Sequence, residues 1–207
     1  MGAQASPMKV LVAVISTIPI NFVNMKYLLT LLFLGALIIA RAQAISVKDT
    51  TKTIASVWQV LERPVYTIEY PSTWTIDSSK KFGSDMFAFS PLESESDNFR
   101  ENVNVMIQDL SGFGLTLAIY ADTSVSQIKN MLNNCTIVEN KSVKEGNKEF
   151  HKVVFTGQQG NFTLKSVQYY FLVKDIAYII TLTTLLEKYD QYIQSGERML
   201  NSFRLKE

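Results

Sequence analysis

TLKSVQYYFLV at residues 163–173, KD at 174–175 and IAYIITLTT at 176–184 decide the fold class of this chain. Both long runs are dense in β-branched and aromatic residues, which suit a pleated, half-buried surface. A two-residue break joins them. A parallel connection needs a dozen residues or more, so these two strands run antiparallel as a hairpin. The same reasoning extends backwards through Lys148 to Thr156, ended by the turn-forming stretch Gly157 to Asn161, and Thr136 to Val143, ended by Gly146-Asn147.

Further upstream, Pro64 stops any helix and Val65 to Tyr70 alternates as a strand before the turn Pro71-Ser72-Thr73-Trp74. Met86 to Phe89 reads as a short strand. Val103, Val105 and Ile107 alternate with Asn104, Met106 and Gln108, a pattern that predicts one buried and one more polar face. Two segments change to helical period. Thr123 to Asn134 carries a capping-box spacing from Ser124 to Gln127, followed by Val125, Ile128 and Leu132 on one side. Leu185 to Phe203 places Leu185, Tyr189, Ile193, Met199, Leu200 and Phe203 near one side of a helix, with Gly196 there permitting close approach to the sheet. The expected architecture is α+β, a central antiparallel sheet covered by helices, in one domain at 65–206. Residues 45–64 read as a lead-in whose last turn, with Val57, Trp58, Val60 and Leu61, docks on that domain.

The chain has 207 residues, 47% of them hydrophobic and 11% aromatic, enough for one sizeable core. Lys and Arg number 20 against 19 Asp and Glu, so no strong field recruits a nucleic acid. Residues 1–44 contain no acidic residue. Within them Met25-Lys26, the apolar run Tyr27 to Ile39 and Ala42-Gln43-Ala44 have the parts of a secretory signal at 25–44, cleaved after Ala44. The run is shorter than the roughly 20 residues of a membrane-spanning helix, so no permanent anchor is expected after cleavage. Residues 1–24 hold a second apolar run, Val10 to Ile20, and read as a non-native or extended leader. Cleavage leaves 17 basic and 19 acidic residues, a formal charge of −2. A secreted or periplasmic monomer is the expectation.

Catalytic chemistry is poorly supplied. There is one cysteine, Cys135, and one histidine, His151, which excludes disulfide frameworks and cysteine-rich zinc sites. Neither Gly-x-Ser-x-Gly nor a helical His-Glu pair occurs. His151 reads as an exposed or edge strand residue and Cys135 as a partly buried structural thiol, each being the other's sole candidate partner for nucleophile chemistry. Gly157-Gln158-Gln159-Gly160 lacks the Lys-Ser/Thr of a phosphate cradle and precedes a strand, so it reads as a hairpin turn. Asn134, Asn140 and Asn161 each begin an Asn-x-Ser/Thr sequon. No cofactor is expected. Glu93, Glu95 and Asp97 lie in a loop near Arg100, a solvated acidic surface that forms the candidate docking loop and has oxygens suited to a hard cation such as calcium. Phe99, Val103 and Val105 should anchor its far end in the core.

Three stretches carry a family resemblance: Tyr66-Thr67-Ile68-Glu69-Tyr70-Pro71-Ser72-Thr73-Trp74, Phe89-Ser90-Pro91-Leu92-Glu93-Ser94, and Asp97-Asn98-Phe99-Arg100-Glu101-Asn102-Val103-Asn104-Val105. With the tyrosine-rich strand Val167 to Val173, the strand Ala177 to Thr183 and the ending Ser202-Phe203-Arg204, the order resembles the PsbP and DcrB-like group. The resemblance implies an α/β/α sandwich and a protein that acts by docking. PsbP is an extrinsic subunit of the oxygen-evolving photosystem, a Ran-binding import factor shares the fold, and DcrB-like members are bacterial envelope proteins. This chain lacks the lipid-acceptor cysteine of the DcrB pattern and a chloroplast-type transit peptide, which argues against a photosynthetic role. The expected function is an exported, non-catalytic binding or adaptor domain that docks on a protein or envelope component. The alternative is a small secreted hydrolase or metal-dependent enzyme.

Overall fold

The computed structural model describes residues 57–206. The leader at 1–24, the signal at 25–44 and most of the lead-in lie outside the described residues. In chain order the strands are β1 (Trp58–Glu62), β2 (Tyr66–Pro71), β3 (Thr75–Asp77), β4 (Ser84–Phe89), β5 (Asn102–Asp109), β6 (Asn133–Glu145), β7 (Lys148–Gln159), β8 (Phe162–Val173), β9 (Ile176–Leu185) and β10 (Arg204–Leu205). Helix α1 (Leu117–Met131) lies between β5 and β6, and α2 (Tyr189–Ser202) between β9 and β10.

The hairpin that sets the fold class forms as its sequence dictates. β8 and β9 pair antiparallel from Val173 opposite Ile176 to Leu164 opposite Leu185. Lys174 and Asp175 turn the chain with φ of 49° and 62°, the left-handed pair that matches strand twist in a two-residue hairpin. Around it builds a seven-stranded sheet in the order β3-β4-β5-β9-β8-β7-β6, antiparallel throughout. The expected break at Gly157 to Asn161 contracts to Gly160-Asn161, because Gly157 stays in β7. Leu132 packs on it so closely that a Cβ there would lie 2.9 Å from the Leu132 Cβ.

Several expectations need correction. Residues 58–62 are a strand, not a docked turn: β1 pairs with β2, and β10 flanks β2 on its other side in a separate three-stranded sheet. Arg63 ties that sheet to the large one, its Nε and Nη2 donating to the Asp85 carboxylate at 2.9 and 3.1 Å while Tyr66 OH donates to the same group at 2.8 Å. Helix α1 starts before the expected Ser124 box. Its cap is Thr116, whose hydroxyl accepts from the Ile119 amide at 3.3 Å, while Ser124 sits mid-helix and donates to the Tyr120 carbonyl. Leu185 ends β9, and a single 3₁₀ turn, Leu186–Lys188, precedes α2. β5 is covered on both faces, with Asn102, Asn104 and Gln108 buried and Asp109 alone exposed at its end. Asn104 Nδ2 donates to Ser84 Oγ at 3.0 Å and Tyr120 OH to Gln108 Oε1 at 2.5 Å. Satisfied in this way, they cost little to bury.

Alternation along the strands produces two cores. Val103, Val105, Val167, Tyr169, Ile180 and Leu182 meet Met199, Leu200 and Phe203 with the three-stranded sheet. The opposite set, Met106, Val153, Phe155, Tyr170 and Ile179, meets Tyr120, Val125 and Ile128 of α1. Gly196 lets α2 approach as expected, since a Cβ there would lie 2.4 Å from Leu182 Cδ2.

Candidate functional site

Between β4 and β5 the chain leaves the sheet at Ser90 and returns at Glu101, with the Ser90 amide donating to the Glu101 carbonyl at 2.8 Å to close the base. Pro91 ends the strand and the run Glu93 to Asp97 has no apolar alternation to continue it. Asp97 organises the loop. Its carboxylate accepts from the Glu93 amide at 2.9 Å and the Phe99 amide at 3.1 Å, an Asx-type turn that replaces backbone ladder bonds. Phe99, 1% exposed and 5.2 Å from the Phe162 ring, fixes the far end in the core as expected.

The four candidate residues of this loop do different things. Glu93 is a latch: its carboxylate accepts from Lys188 Nζ at 2.5 Å, Gln191 Nε2 at 2.8 Å and Tyr192 OH at 2.8 Å, all at the start of α2. These donors, Lys188 first and Tyr192 next, hold it below the usual carboxylate range. Tyr192 in turn packs edge-on against Trp74. Arg100 turns inward, donating to the Ser90 and Phe89 carbonyls at 2.5 and 3.3 Å with its guanidinium over the Phe89 ring. It pairs with backbone rather than with an acidic neighbour in the loop. Glu95 is exposed and has no hydrogen bond among the described residues.

Below the loop lies a cleft of about 220 Å³ lined by Glu93, Asp97, Glu101, Leu185, Glu187 and Lys188. Glu101 is 2% exposed, and burial pushes its carboxyl up while the backbone amides of Glu101 and Leu185 oppose that rise. Leu92 and Leu186 stand exposed beside the cleft, 47% and 44%. The arrangement is a stiffened acidic surface with two apolar contacts. Sequence reading missed the leucines and the α2 partners of Glu93, because isolated exposed leucines have no periodicity and Lys188, Gln191 and Tyr192 lie far along the chain. Among the described residues no group of three or more His, Cys, Asp or Glu is placed to hold a metal ion.

The remaining candidates are placed as follows. His151 is 7% exposed, so the expectation of an exposed or edge residue fails: β7 is an inner strand, and β6 and β8 pair on either side of His151. Asn140 Oδ1 lies 2.6 Å from its Nε2 and Ser142 Oγ 3.3 Å from its Nδ1. With Oδ1 accepting, Nε2 carries the proton and Nδ1 accepts from the serine hydroxyl. Burial pushes the ring below its usual range, with Asp122 acting in the opposite direction. Cys135 is partly buried, as expected, and burial raises its thiol above the usual range. It does not meet His151. His151 pairs across from Ser142, seven positions further along β6, or about 20 Å at the rise of a strand. Gly160 turns the β7–β8 hairpin with φ of 58°, the hairpin turn expected at this stretch. Among the described residues no helix is long and apolar enough to cross a membrane.

No protein-family model matches the sequence, and no curated protein matches it. The structure is similar to that of cyanobacterial PsbP (CyanoP) from Synechocystis sp. PCC 6803, at 16% identity and a TM-score of 0.56 over 77% of this chain and 98% of that one. It is similar to LpqN, involved in cell envelope biogenesis of Mycobacterium tuberculosis, at 9% identity and a TM-score of 0.51 over 74% and 93%. A Pseudomonas aeruginosa protein of unknown function matches at 12% identity and a TM-score of 0.50 over 70% and 94%. The resemblance carried by Tyr66 to Val105 and by β8 and β9 therefore agrees with the shape of the domain.

Proposed function

We propose that this chain, whose fold is PsbP-like, is an exported, non-catalytic docking domain that engages a protein or envelope component through the 90–101 loop and the start of α2. Its layers are those of an α/β/α sandwich with the three-stranded sheet added on the α2 side. One observation carries the reading: the loop is pre-shaped by Asp97 and latched by Glu93, while Leu92, Leu186 and Glu95 are left facing outward. A surface ordered before binding loses less entropy on association, and exposed apolar groups rimmed by charge are the usual contacts of such surfaces. Export rests on the signal read at 25–44 and on the likeness to LpqN and CyanoP. The test is a pull-down from the source organism with the intact protein and with a Leu92→Ser, Leu186→Ser double variant. The expected result is a partner retained by the first and lost by the second at unchanged melting temperature. A partner retained equally by both sinks the assignment to this surface.

A hydrolase reading has one observation in its favour, the Ser142–His151–Asn140 chain of contacts. It is a serine aligned on a histidine base whose other nitrogen is held by an amide, the arrangement of acyl-transfer sites. Covalent labelling of Ser142 by a fluorophosphonate would favour that reading over docking.

A further inference from the structure

The opposite end of α2 carries an arrangement that the docking loop does not explain. The Asn201 carbonyl accepts from two cations, Lys148 Nζ at 3.2 Å and Arg204 Nη1 at 2.5 Å. The two positive groups therefore lie no further apart than the sum of those distances. Neither forms an ion pair among the described residues, which is also true of Lys129, Lys144 and Lys165, so it is the shared carbonyl that sets these two cations apart. Lys148 is held over the Phe150 and Phe171 rings at 5.5 and 5.3 Å, which fixes where its ammonium points.

Capping of a helix end accounts for one of these cations. A basic group beside the final carbonyls is favourable, but a second one on the same oxygen adds repulsion. Their donors also exceed their acceptors. An ammonium has three N–H groups and a guanidinium five. Lys148 uses one on Asn201, and Arg204 uses Nη1 alone, on Asn201 and on the Phe203 carbonyl at 2.8 Å, which leaves Nε and Nη2 uncommitted among the described residues. Two full positive charges outweigh the half charge of the helix end. We infer that Lys148 and Arg204 form a binding site for an oxyanion of the phosphate type. An arginine fork beside a point-charge ammonium is the pairing suited to such a group. Burial first, and then Arg204, push Lys148 down to about 8, while Glu145, opposite it across β6 and β7, partly offsets the fall.

The experiment is a titration of the full chain with inorganic phosphate, following the Lys148 side chain by NMR across pH. Bound phosphate should move the Lys148 titration from about 8 toward its ordinary 10.5. Lys148→Met and Arg204→Gln should each weaken phosphate binding about tenfold, and Lys148→Arg should retain it. Arg204 is exposed, so its variant stays folded if Lys148→Met does not. Parallel arms with phosphatidylglycerol and phosphatidylcholine vesicles identify the source. Binding to the anionic vesicles alone assigns a lipid headgroup, and binding to free phosphate assigns a soluble anion. A Lys148 titration unmoved by phosphate and by both vesicles, or equal binding by the Arg204 variant, overturns the site.

Discussion

The two helices are held in place by opposite means. α1 begins on its own residue, with Thr116 capping the Ile119 amide, and lies on β6, β7 and β8 through Val125, Ile128 and Leu132. α2 has no side-chain cap from Lys188 at its own start. Its first turn is met by Glu93 from a loop nearly a hundred residues earlier, and its last by Lys148 and Arg204. Negative charge at the start and positive charge at the end both complement the helix macrodipole. The difference separates a helix defined locally from one whose termini are set by remote chain. Both proposed binding surfaces border the second kind, so the positions of Glu93 and Lys148 depend on contacts from remote chain, while Arg204 is held by its own neighbours Asn201 and Phe203.

Phe99→Ala tests that dependence with the largest expected effect. The ring is fully buried and anchors the loop that carries Glu93. Its removal should cost about 3 to 5 kcal/mol in denaturant unfolding, the transfer loss plus an unfilled cavity. Amide exchange should then quicken in the first turn of α2 before it quickens in α1. Equal quickening in both helices breaks the contrast between them.

Thr116→Ala addresses the local helix. Loss of an N-cap hydroxyl should destabilise by about 1 kcal/mol, while Ser124→Ala should cost less, because alanine suits a helix interior and the Tyr120 carbonyl keeps its helical bonding role. Thermal unfolding of the two variants ranks them. The reverse ranking would return the helix start to Ser124.

That error over α1 shows where the sequence was readable. The strand block from Thr136 to Thr184 was legible because hairpins are local, and turn chemistry at Gly146-Asn147 and Lys174-Asp175 fixes each pairing, although Asn133 and Asn134, read as a helix end, already belong to β6. α2 was legible from its one-sided apolar pattern and from Gly196, whose missing Cβ meets Leu182. Ser124 to Gln127 copied the spacing of a cap without being one, since a serine inside a helix can bond back to the preceding turn. β1 was missed because Val57 and Val60 are exposed and Leu61 only partly buried, so no alternation marked it. Within the candidate loop, Glu93, Glu95, Asp97 and Arg100 were found as a group. Their separate roles were not, because the latch partners lie on α2, the turn closes on the Glu93 and Phe99 amides, and the guanidinium turns in on the Phe89 and Ser90 carbonyls.

The smallest expected effect concerns the latch itself. Glu93→Gln keeps the shape and the acceptor but removes the charge that Lys188 meets. Glu93 is about a third exposed and its ion pair is screened by solvent, so the loss near neutral pH should be about 1 kcal/mol or less. The pH dependence distinguishes it better than the size. Because the folded state holds Glu93 below its ordinary value of 4.5, its contribution is present above that value and disappears as pH falls through the lower, folded one. Glu101 acts in the opposite sense. Its folded value is raised, so the folded state takes up a proton more readily, and the cost of ionising it grows as pH rises through its folded value. The intact protein sums the two and its profile conceals both. The difference between intact protein and Glu93→Gln removes most of the Glu101 contribution, leaving only the small part by which the Glu93 charge raises Glu101, and should be positive at pH 7, shrinking toward zero at acid pH. A difference that stays constant from pH 7 down to pH 3 would mean that the Glu93 charge does not hold α2, and that Tyr192 and Gln191 bond an acceptor of any charge equally well.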